Sequence, residues 1–253
     1  MFASTLPQSL PAPLSPSRAL MGREDSRLDL DSLDGLDDAA LVTRLTSLTP
    51  SLLQDLQRFE ADGTAQTELV EVLAACVRHT QALGIVLRRG QRVVSLTAFP
   101  IDKLVHCVVP MSEFIAGDLA ELKVLQVEPA RVERPGPVRL GADTLGHFGA
   151  MSTLMWEIAL RGSRDNLLPE LAGRAAFRIA PGVILHGLRV PGAMANAITK
   201  LRRQTCNLGE IAGWPGLNGP RAARLINALY LQSALIVSRT HPAATNEGWI
   251  GYK

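Results

Sequence analysis

The sequence predicts an α+β protein in three parts: a disordered acidic N-terminal arm, a mixed middle domain of helices and hairpin strands, and a helical C-terminal domain. Apolar residues recur at helical spacing on both sides of the stretch 85–128, where short apolar runs are bounded by Gly and Pro. The charge is uneven as well. Residues 174–253 contain ten Lys and Arg against two acids, a net charge of +8, whereas the 253-residue chain has +2, so residues 1–173 carry −6.

The acidic arm is expected at residues 1–38. Its first 26 residues are rich in Pro, Ser and Ala and show no hydrophobic period. Residues 28–38 alternate Leu and Asp, which leaves two interpretations open. The segment is either a solvated lead-in to the first helix, or a docking segment whose leucines fill a groove while its carboxylates meet a basic face. In the second case we expect it to cover the basic face of the C-terminal domain.

A mixed α+β domain is expected at residues 39–130, where helical periodicity gives way to strand patterns. Gly84 ends the helical part, and Gly90 lies between two runs that read as a hairpin. The expected helices are 39–48, 51–61, 64–83 and 111–122. The expected strands are 85–89, 91–99, 104–109 and 123–128.

Residues 131–147 contain several Pro and Gly and are expected to form a linker or long loop. They mark the predicted domain boundary, and the C-terminal domain occupies 148–253. It is expected to begin with helices and two strands that turn at Pro181 and Gly182, and to continue with a longer helix. The expected helices are 151–160, 167–172 and 193–204, and the expected strands are 174–179 and 183–190.

The most tightly punctuated segment is the helix–turn–helix pattern at 207–233. Asn207 can cap a helix whose third residue is Glu210, an arrangement close to a capping box. A Trp-Pro-Gly sequence stops that helix. Asn218 then caps a longer helix, with Pro220 in its first turn, where the missing N–H costs nothing. The pattern therefore predicts a helix and a second, longer helix joined by a tight turn.

The longer helix has one apolar face and leads into a strand signal at 235–239. The residues expected to face inward are Ala222, Leu225, Ile226, Leu229 and Ser233. The segment at about 207–239 resembles the degenerate winged-helix modules of bacterial regulatory proteins. The resemblance lies in the sequence NLGEIAGWPGLNGPRAARLINALYLQSALI. The resemblance implies a winged-helix-like C-terminal domain and a role in regulation. No family is recognised for the rest of the chain.

The resemblance implies that the second helix, 219–233, could enter the major groove of DNA. Arg221 would then meet a guanine edge, Asn227 an adenine edge, and Arg224 either a base or a phosphate. Further basic residues would add sequence-independent phosphate contacts. These are Lys200, Arg202, Arg203 and Arg239. The alternative is that these basic side chains only solvate the outside of a helical domain.

A third interpretation is protein docking. Tyr230, Leu231 and Leu235 give the second helix more apolar surface than a groove-reading helix needs. The sequence therefore predicts a non-enzymatic regulatory, signalling or scaffold protein that acts by protein–protein interaction through its basic C-terminal domain. The partner would be another protein or a second copy of the chain. A DNA-binding transcriptional regulator is the alternative.

Metal ligation is not expected, although Cys76, His79, His106 and Cys107 are zinc-type ligands. His106 and Cys107 are adjacent, and adjacent side chains on a strand point to opposite faces. Cys76 falls on an apolar helical stripe, where a free cysteine packs as a small hydrophobe. We expect no metal and no cofactor.

Catalysis is not expected either. Ser163, Asp165, His147 and His186 supply the residue types of a hydrolase, but no Gly-x-Ser-x-Gly elbow or phosphate-binding glycine loop occurs, and no small-molecule substrate is indicated. Three dispersed cysteines, an N-terminus interrupted by prolines and the lack of a long apolar run predict a cytoplasmic protein that does not associate with membranes.

Overall fold

The structure, a computed structural model, describes residues 48–61, 68–130 and 146–244. The acidic arm at 1–38 and most of the expected linker at 131–147 lie outside these ranges, as does all of the expected helix 39–48 except Leu48. The helices are α1 Pro50–Ala61, α2 Leu69–His79, α3 Met111–Ala116, α4 Met151–Arg161, α5 Gly192–Leu201, α6 Leu208–Ala212 and α7 Gly219–Leu231. The strands are β1 Leu83–Arg89, β2 Arg92–Phe99, β3 Leu104–Cys107, β4 Leu122–Pro129, β5 Phe148–Ala150, β6 Ala176–Ile179 and β7 Leu235–Ser238.

Helices therefore combine with an antiparallel sheet, which confirms the α+β class. The larger sheet has five strands in the order β4-β1-β2-β3-β5, all paired antiparallel. The expected hairpin is present, with β1 and β2 joined at Gly90, whose φ of 59° suits a residue without a Cβ. One face of β1 is buried, since Leu83, Ile85 and Leu87 are each at most 1% exposed. The period-2 pattern thus places this face on the core.

Strand β5 follows the expected linker, yet it joins the larger sheet. It pairs with β3, and the N–H of Met151 donates to the carbonyl of Lys103 at 2.9 Å. Helix α4 begins directly after this strand. Residues 148–161, which the sequence places in the C-terminal domain, therefore pack against the middle domain.

Helix α4 forms the centre of the molecule. It contacts α2 on one side and α7 on another, and Leu154 and Trp156 are completely buried. A buried Trp removes a large apolar area from water and dominates the packing around it. The indole Nε1 of Trp156 donates to the carbonyl of Arg189 at 2.8 Å, which anchors the segment before α5.

Two expected elements of the C-terminal half are wrong. No strand forms at 183–190, because β6 pairs with β7 instead. Residues 167–172 form a turn rather than a helix, and the N–H of Leu168 is already taken by the side chain of Asn227 at 2.9 Å. The short strand β6 is present as expected, and Phe177 forms an additional bridge to Cys206.

The helix caps and the tight turn predicted within 207–233 are confirmed. Asn207 and Glu210 form a reciprocal capping box at α6, with distances of 2.8 and 2.9 Å. Asn218 caps α7 by accepting from the N–H of Arg221 at 3.0 Å. Gly216, in the turn between the two helices, has a φ of 79°, and any Cβ there would collide with Ala193 of α5. The tight turn therefore requires glycine.

The buried face of α7 is as expected at four of five positions. Ala222, Leu225, Ile226 and Leu229 are completely buried. Ser233 is exposed, because the helix ends at Leu231 and Ser233 adopts a positive φ of 55° that turns the chain towards β7. Its expected place on the inward stripe is wrong for that reason.

Candidate functional site

A cleft of about 600 Å³ opens where the end of α3, the last two turns of α4, the segment before α5 and the first two turns of α7 meet. Part of its wall is apolar, formed by Ala116, Leu160, Val190, Pro191 and Met194. The rest is charged, formed by Glu157, Arg161, Arg189, Arg221 and Arg224. Four guanidinium groups and one carboxylate thus face one space, which we call the arginine cleft.

Arg161, the last residue of α4, is held firmly at the edge of the cleft. Its guanidinium donates to the carbonyls of Ile115 and Gly117, each at 2.8 Å, and to the carboxylate of Glu157 at 3.2 Å. Glu157 is only 7% exposed, so it needs this charged partner. The pair fixes one guanidinium and neutralises its charge.

Arg224 is fixed in a similar way. It forms an ion pair with Asp165 at 2.8 Å, and its Nε donates to the carbonyl of Arg164 at 3.1 Å. Its side chain is 26% exposed. The second guanidinium of the cleft is therefore also oriented and neutralised by a carboxylate.

Arg189 and Arg221 differ from these two residues. Both are exposed, and within the described ranges neither side chain has a hydrogen bond or an ion pair. Their backbones are anchored, Arg189 through its bond from Trp156 and Arg221 through the Asn218 cap. Two uncompensated positive charges therefore lie on fixed backbone at the mouth of the cleft.

The structure brings Arg221 and Arg224 together, as expected, but not Asn227. The side chain of Asn227 is 1% exposed; it accepts from the N–H of Leu168 and donates to the carbonyl of Asn166, both at 2.9 Å. Its expected position on the exposed face is wrong, because the amide is used to hold the loop after α4.

The residues expected to form an apolar docking patch are only partly exposed. Tyr230, Leu231 and Leu235 are each half-buried and pack against the hydrophobic core. They therefore contribute to packing at the end of α7 and in β7, and only part of their apolar surface faces solvent.

Two of the remaining basic residues, Arg239 and Arg202, donate to backbone carbonyls. The guanidinium of Arg239 donates to the carbonyls of Glu170 and Ala172, each at 2.6 Å, and of Arg174 at 3.0 Å. Arg202 donates to the carbonyl of Val183 at 3.0 Å.

The side chains of Lys200 and Arg203 are less constrained than those of Arg202 and Arg239. Both are exposed at the end of α5; Lys200 lies 5.0 Å from the centre of the Trp214 ring, and the side chain of Arg203 has no partner within the described ranges. These two residues remain available to an anionic partner.

The cysteines are buried, and burial raises the pKa of each thiol: that of Cys76 to about 12, and those of Cys107 and Cys206 above their usual range. His106 and His147 lie near each other, with ring centres 6.3 Å apart, and burial followed by the charge of His147 lowers the pKa of His106. Among the described residues, no group of three His, Cys, Asp or Glu side chains could hold a metal ion.

The hydrolase-type residues singled out in the sequence are dispersed. Ser163 donates to Glu68 at 3.2 Å, Asp165 pairs with Arg224, and His147 contacts the carbonyl of Cys107 at 2.9 Å. His186 is exposed on the segment before α5.

A different set, which the sequence did not indicate, lies between α1 and α2. His79 contacts Ser51 Oγ through Nδ1 at 3.3 Å and Asp55 through Nε2 at 2.8 Å. Asp55 also pairs with Arg78, which in turn pairs with Glu170. None of these residues lines the arginine cleft. Their contacts fix α1 on α2.

No protein-family model, curated protein or solved structure matches this chain. Within the described ranges the longest helix, α7, has 13 residues, and none of the helices there is long and apolar enough to cross a bilayer. The sequence patterns did not identify Glu157, Arg161 and Arg189 as site residues. The sequence patterns predicted a helix end at Arg161 and a strand at Arg189. Neither pattern indicates that these two residues lie next to α7.

Proposed function

We propose that the protein is a non-enzymatic regulatory or scaffold protein that docks an acidic partner protein through the basic surface of its C-terminal half. One observation carries the proposal. Residues 174–244 contain nine Lys and Arg but one acid, Glu210, and within the described ranges the only ion pair that any of the nine makes is that of Arg224 with Asp165. Such an excess of uncompensated cations attracts anionic partners and speeds their association.

We further propose that the C-terminal half is a winged-helix-like module. The order α5, α6, α7 and β7, with capped helices and a glycine turn, supports this proposal. In such a module α7 would be the helix that reads DNA. Of its three expected base-contacting residues, only Arg221 has a side chain without a partner in the described ranges. This favours docking of a protein over base-specific DNA recognition.

The docking surface that we propose consists of Lys200 and Arg203 at the end of α5. Both are exposed, and neither forms an ion pair within the described ranges. The contact of Lys200 with the Trp214 ring restricts its long side chain, which lowers the entropy lost on binding. Carboxylates of an acidic partner would pair with these two cations.

Sequence-independent DNA binding is the second candidate function. Lys200, Arg203 and Arg221 are exposed cations of the kind that contact phosphates. Phosphate contacts of this type need no base-reading residue, so the burial of Asn227 does not weaken this candidate.

Fluorescence anisotropy with the full chain tests the proposal. The probes are a labelled poly-glutamate peptide and a labelled random DNA duplex, each at two salt concentrations. The variant is Lys200→Gln/Arg203→Gln, and the matched control is Arg88→Gln/Arg92→Gln, which removes two exposed cations from the β1–β2 hairpin.

We expect salt-dependent binding of the peptide that the first variant loses and the control retains. Preference for DNA over the peptide would overturn protein docking in favour of the second candidate. Failure to bind either probe at low salt would overturn both.

A further inference from the structure

The arginine cleft has the dimensions of a small-molecule site. Its volume of about 600 Å³ falls within the range of about 300–1,000 Å³ that is usual for such sites. Ligand sites commonly lie where two parts of a protein meet. Here Ala116 comes from the part of the chain that forms the larger sheet, while Met194 and Arg221 come from the C-terminal half. A ligand in the cleft would therefore contact both parts.

The charge of the cleft selects an anion. Glu157 compensates Arg161 and Asp165 compensates Arg224, which leaves the positive charges of Arg189 and Arg221. A phosphate monoester carries about −1.5 to −2 charges near neutral pH and has three acceptor oxygens. It can pair with two guanidinium groups at once, whereas a single carboxylate compensates only one of them.

The two neutralised arginines can still donate hydrogen bonds. A guanidinium has five N–H donors, and the contacts of Arg161 and Arg224 leave some of them unused. Because both groups are already held in place, a ligand would lose little side-chain entropy by binding to them. Arg189 and Arg221 are free to fold over the bound group.

The apolar wall defines the rest of the ligand. Ala116 and Pro191 are exposed and Val190 is half-buried; with the edges of the largely buried Leu160 and Met194 they form an apolar surface beside the arginines. Covering this surface with a compact apolar group would be favourable. No glycine-rich phosphate loop occurs in the sequence, so the phosphate would be held by side chains rather than by backbone N–H groups.

We propose that the arginine cleft binds a small phosphate monoester with a compact apolar body. Arg189 and Arg221 hold the phosphate, Arg161 and Arg224 orient it, and the apolar wall takes the body of the ligand. This site is separate from the docking surface formed by Lys200 and Arg203, and its occupancy does not depend on a protein partner.

Isothermal titration calorimetry of the full chain with phenyl phosphate tests the site. Benzoate has the same apolar body with a carboxylate, and inorganic phosphate lacks the body. The variants are Arg189→Gln and Arg221→Gln, each at a residue whose side chain has no partner within the described ranges, so the fold should persist. Circular dichroism melts check that it does. The matched controls are Arg88→Gln/Arg92→Gln and Lys200→Gln/Arg203→Gln.

We expect phenyl phosphate to bind more tightly than benzoate or inorganic phosphate, and each cleft variant to weaken it about tenfold or more. Both controls should bind like the wild type. Absence of binding to the wild type, or equal affinity in the cleft variants and the controls, would overturn the proposal. Equal binding of benzoate would contradict the choice of phosphate, and equal binding of inorganic phosphate would contradict the apolar body. Loss of binding in Lys200→Gln/Arg203→Gln would show that the two sites are not separate.

Discussion

Arg164 pairs with Glu71 and thereby joins the loop after α4 to helix α2. The two side chains are only 12% and 3% exposed. The guanidinium also contacts Glu68 at 3.0 Å and donates to the carbonyls of Asn166 at 3.1 Å and Leu167 at 3.0 Å. One cation therefore satisfies two carboxylates and two carbonyls. Burial nevertheless raises the pKa of Glu71, although the charge of Arg164 opposes this shift.

Replacing Arg164 by Ala should lower the free energy of unfolding by about 3–5 kcal/mol, because Glu71 would be left buried without its cation. Arg164→Met combined with Glu71→Gln should cost less, since the deeply buried charge at position 71 is removed and only the more exposed Glu68 loses its cation. Urea denaturation measures both changes. Arg178→Ala, at an exposed residue of β6, serves as the control and should change stability by less than about 0.5 kcal/mol. A loss below about 1 kcal/mol for Arg164→Ala would contradict the structural role of the pair.

Asp55 gives a pH-dependent contribution to stability. Burial alone would raise the pKa of Asp55, but hydrogen bonds from His79 and Arg78 outweigh it and hold this pKa below its ordinary value of 3.8. A carboxyl with a lowered pKa stabilises the fold above its ordinary pKa, and this contribution is lost as the pH falls through the lowered value. Asp55→Asn should therefore lower the Tm at pH 7, and the difference from the wild type should shrink below about pH 3.8. Thermal melts across this range test it, and a gap that stays constant with pH would contradict it.

Asn227 connects α7 to the loop after α4 in the centre of the C-terminal half. Asn227→Ala would leave the N–H of Leu168 without its partner, whereas the carbonyl of Asn166 would keep the hydrogen bond from Arg164 Nε. We expect a loss of about 1–3 kcal/mol, because this buried N–H stays unpaired. Urea denaturation measures it, with Asn196→Ala on the exposed face of α5 as the control. If both variants lose the same small amount, water has replaced the amide.

Helix caps and turn residues made much of the fold predictable. Gly90 between two apolar runs predicted the hairpin, and the spacing of Asn207, Glu210 and Asn218 predicted α6 and α7, because caps and turns depend on neighbours within a few residues. The partner of β6 was not predictable in this way. A strand of four residues pairs with whichever edge tertiary packing provides, and here that edge is β7 rather than residues 183–190.

The arginine cleft was only partly predictable for a similar reason. Helical spacing placed Arg221 and Arg224 on one face, and both line the cleft. The same spacing suggested that Asn227 lies with them, but its side chain is 1% exposed and bonds to the backbone of residues 166 and 168. Contacts with a segment so distant in the chain cannot be predicted from the helix sequence. Arg189 lies more than 30 residues away from Arg221 in the chain, and the bond from Trp156 to its carbonyl, together with the packing of Leu188 and Val190 against the core, holds it at the site.

The two caps of the helix–turn–helix differ in burial, and this difference predicts different costs. Asn207 is 4% exposed, takes part in a reciprocal capping box, and also donates through Nδ2 to the carbonyl of Ala243 at 3.2 Å. Asn218 is exposed and makes the single cap bond to Arg221. Loss of an exposed cap typically costs about 0.5–2 kcal/mol. Asn207→Ala should cost more than Asn218→Ala, because two backbone groups, the N–H of Glu210 and the carbonyl of Ala243, lose their partner instead of one. Denaturant unfolding of the two variants gives the comparison, and an equal or reversed order would mean that the bond to Ala243 contributes nothing to stability.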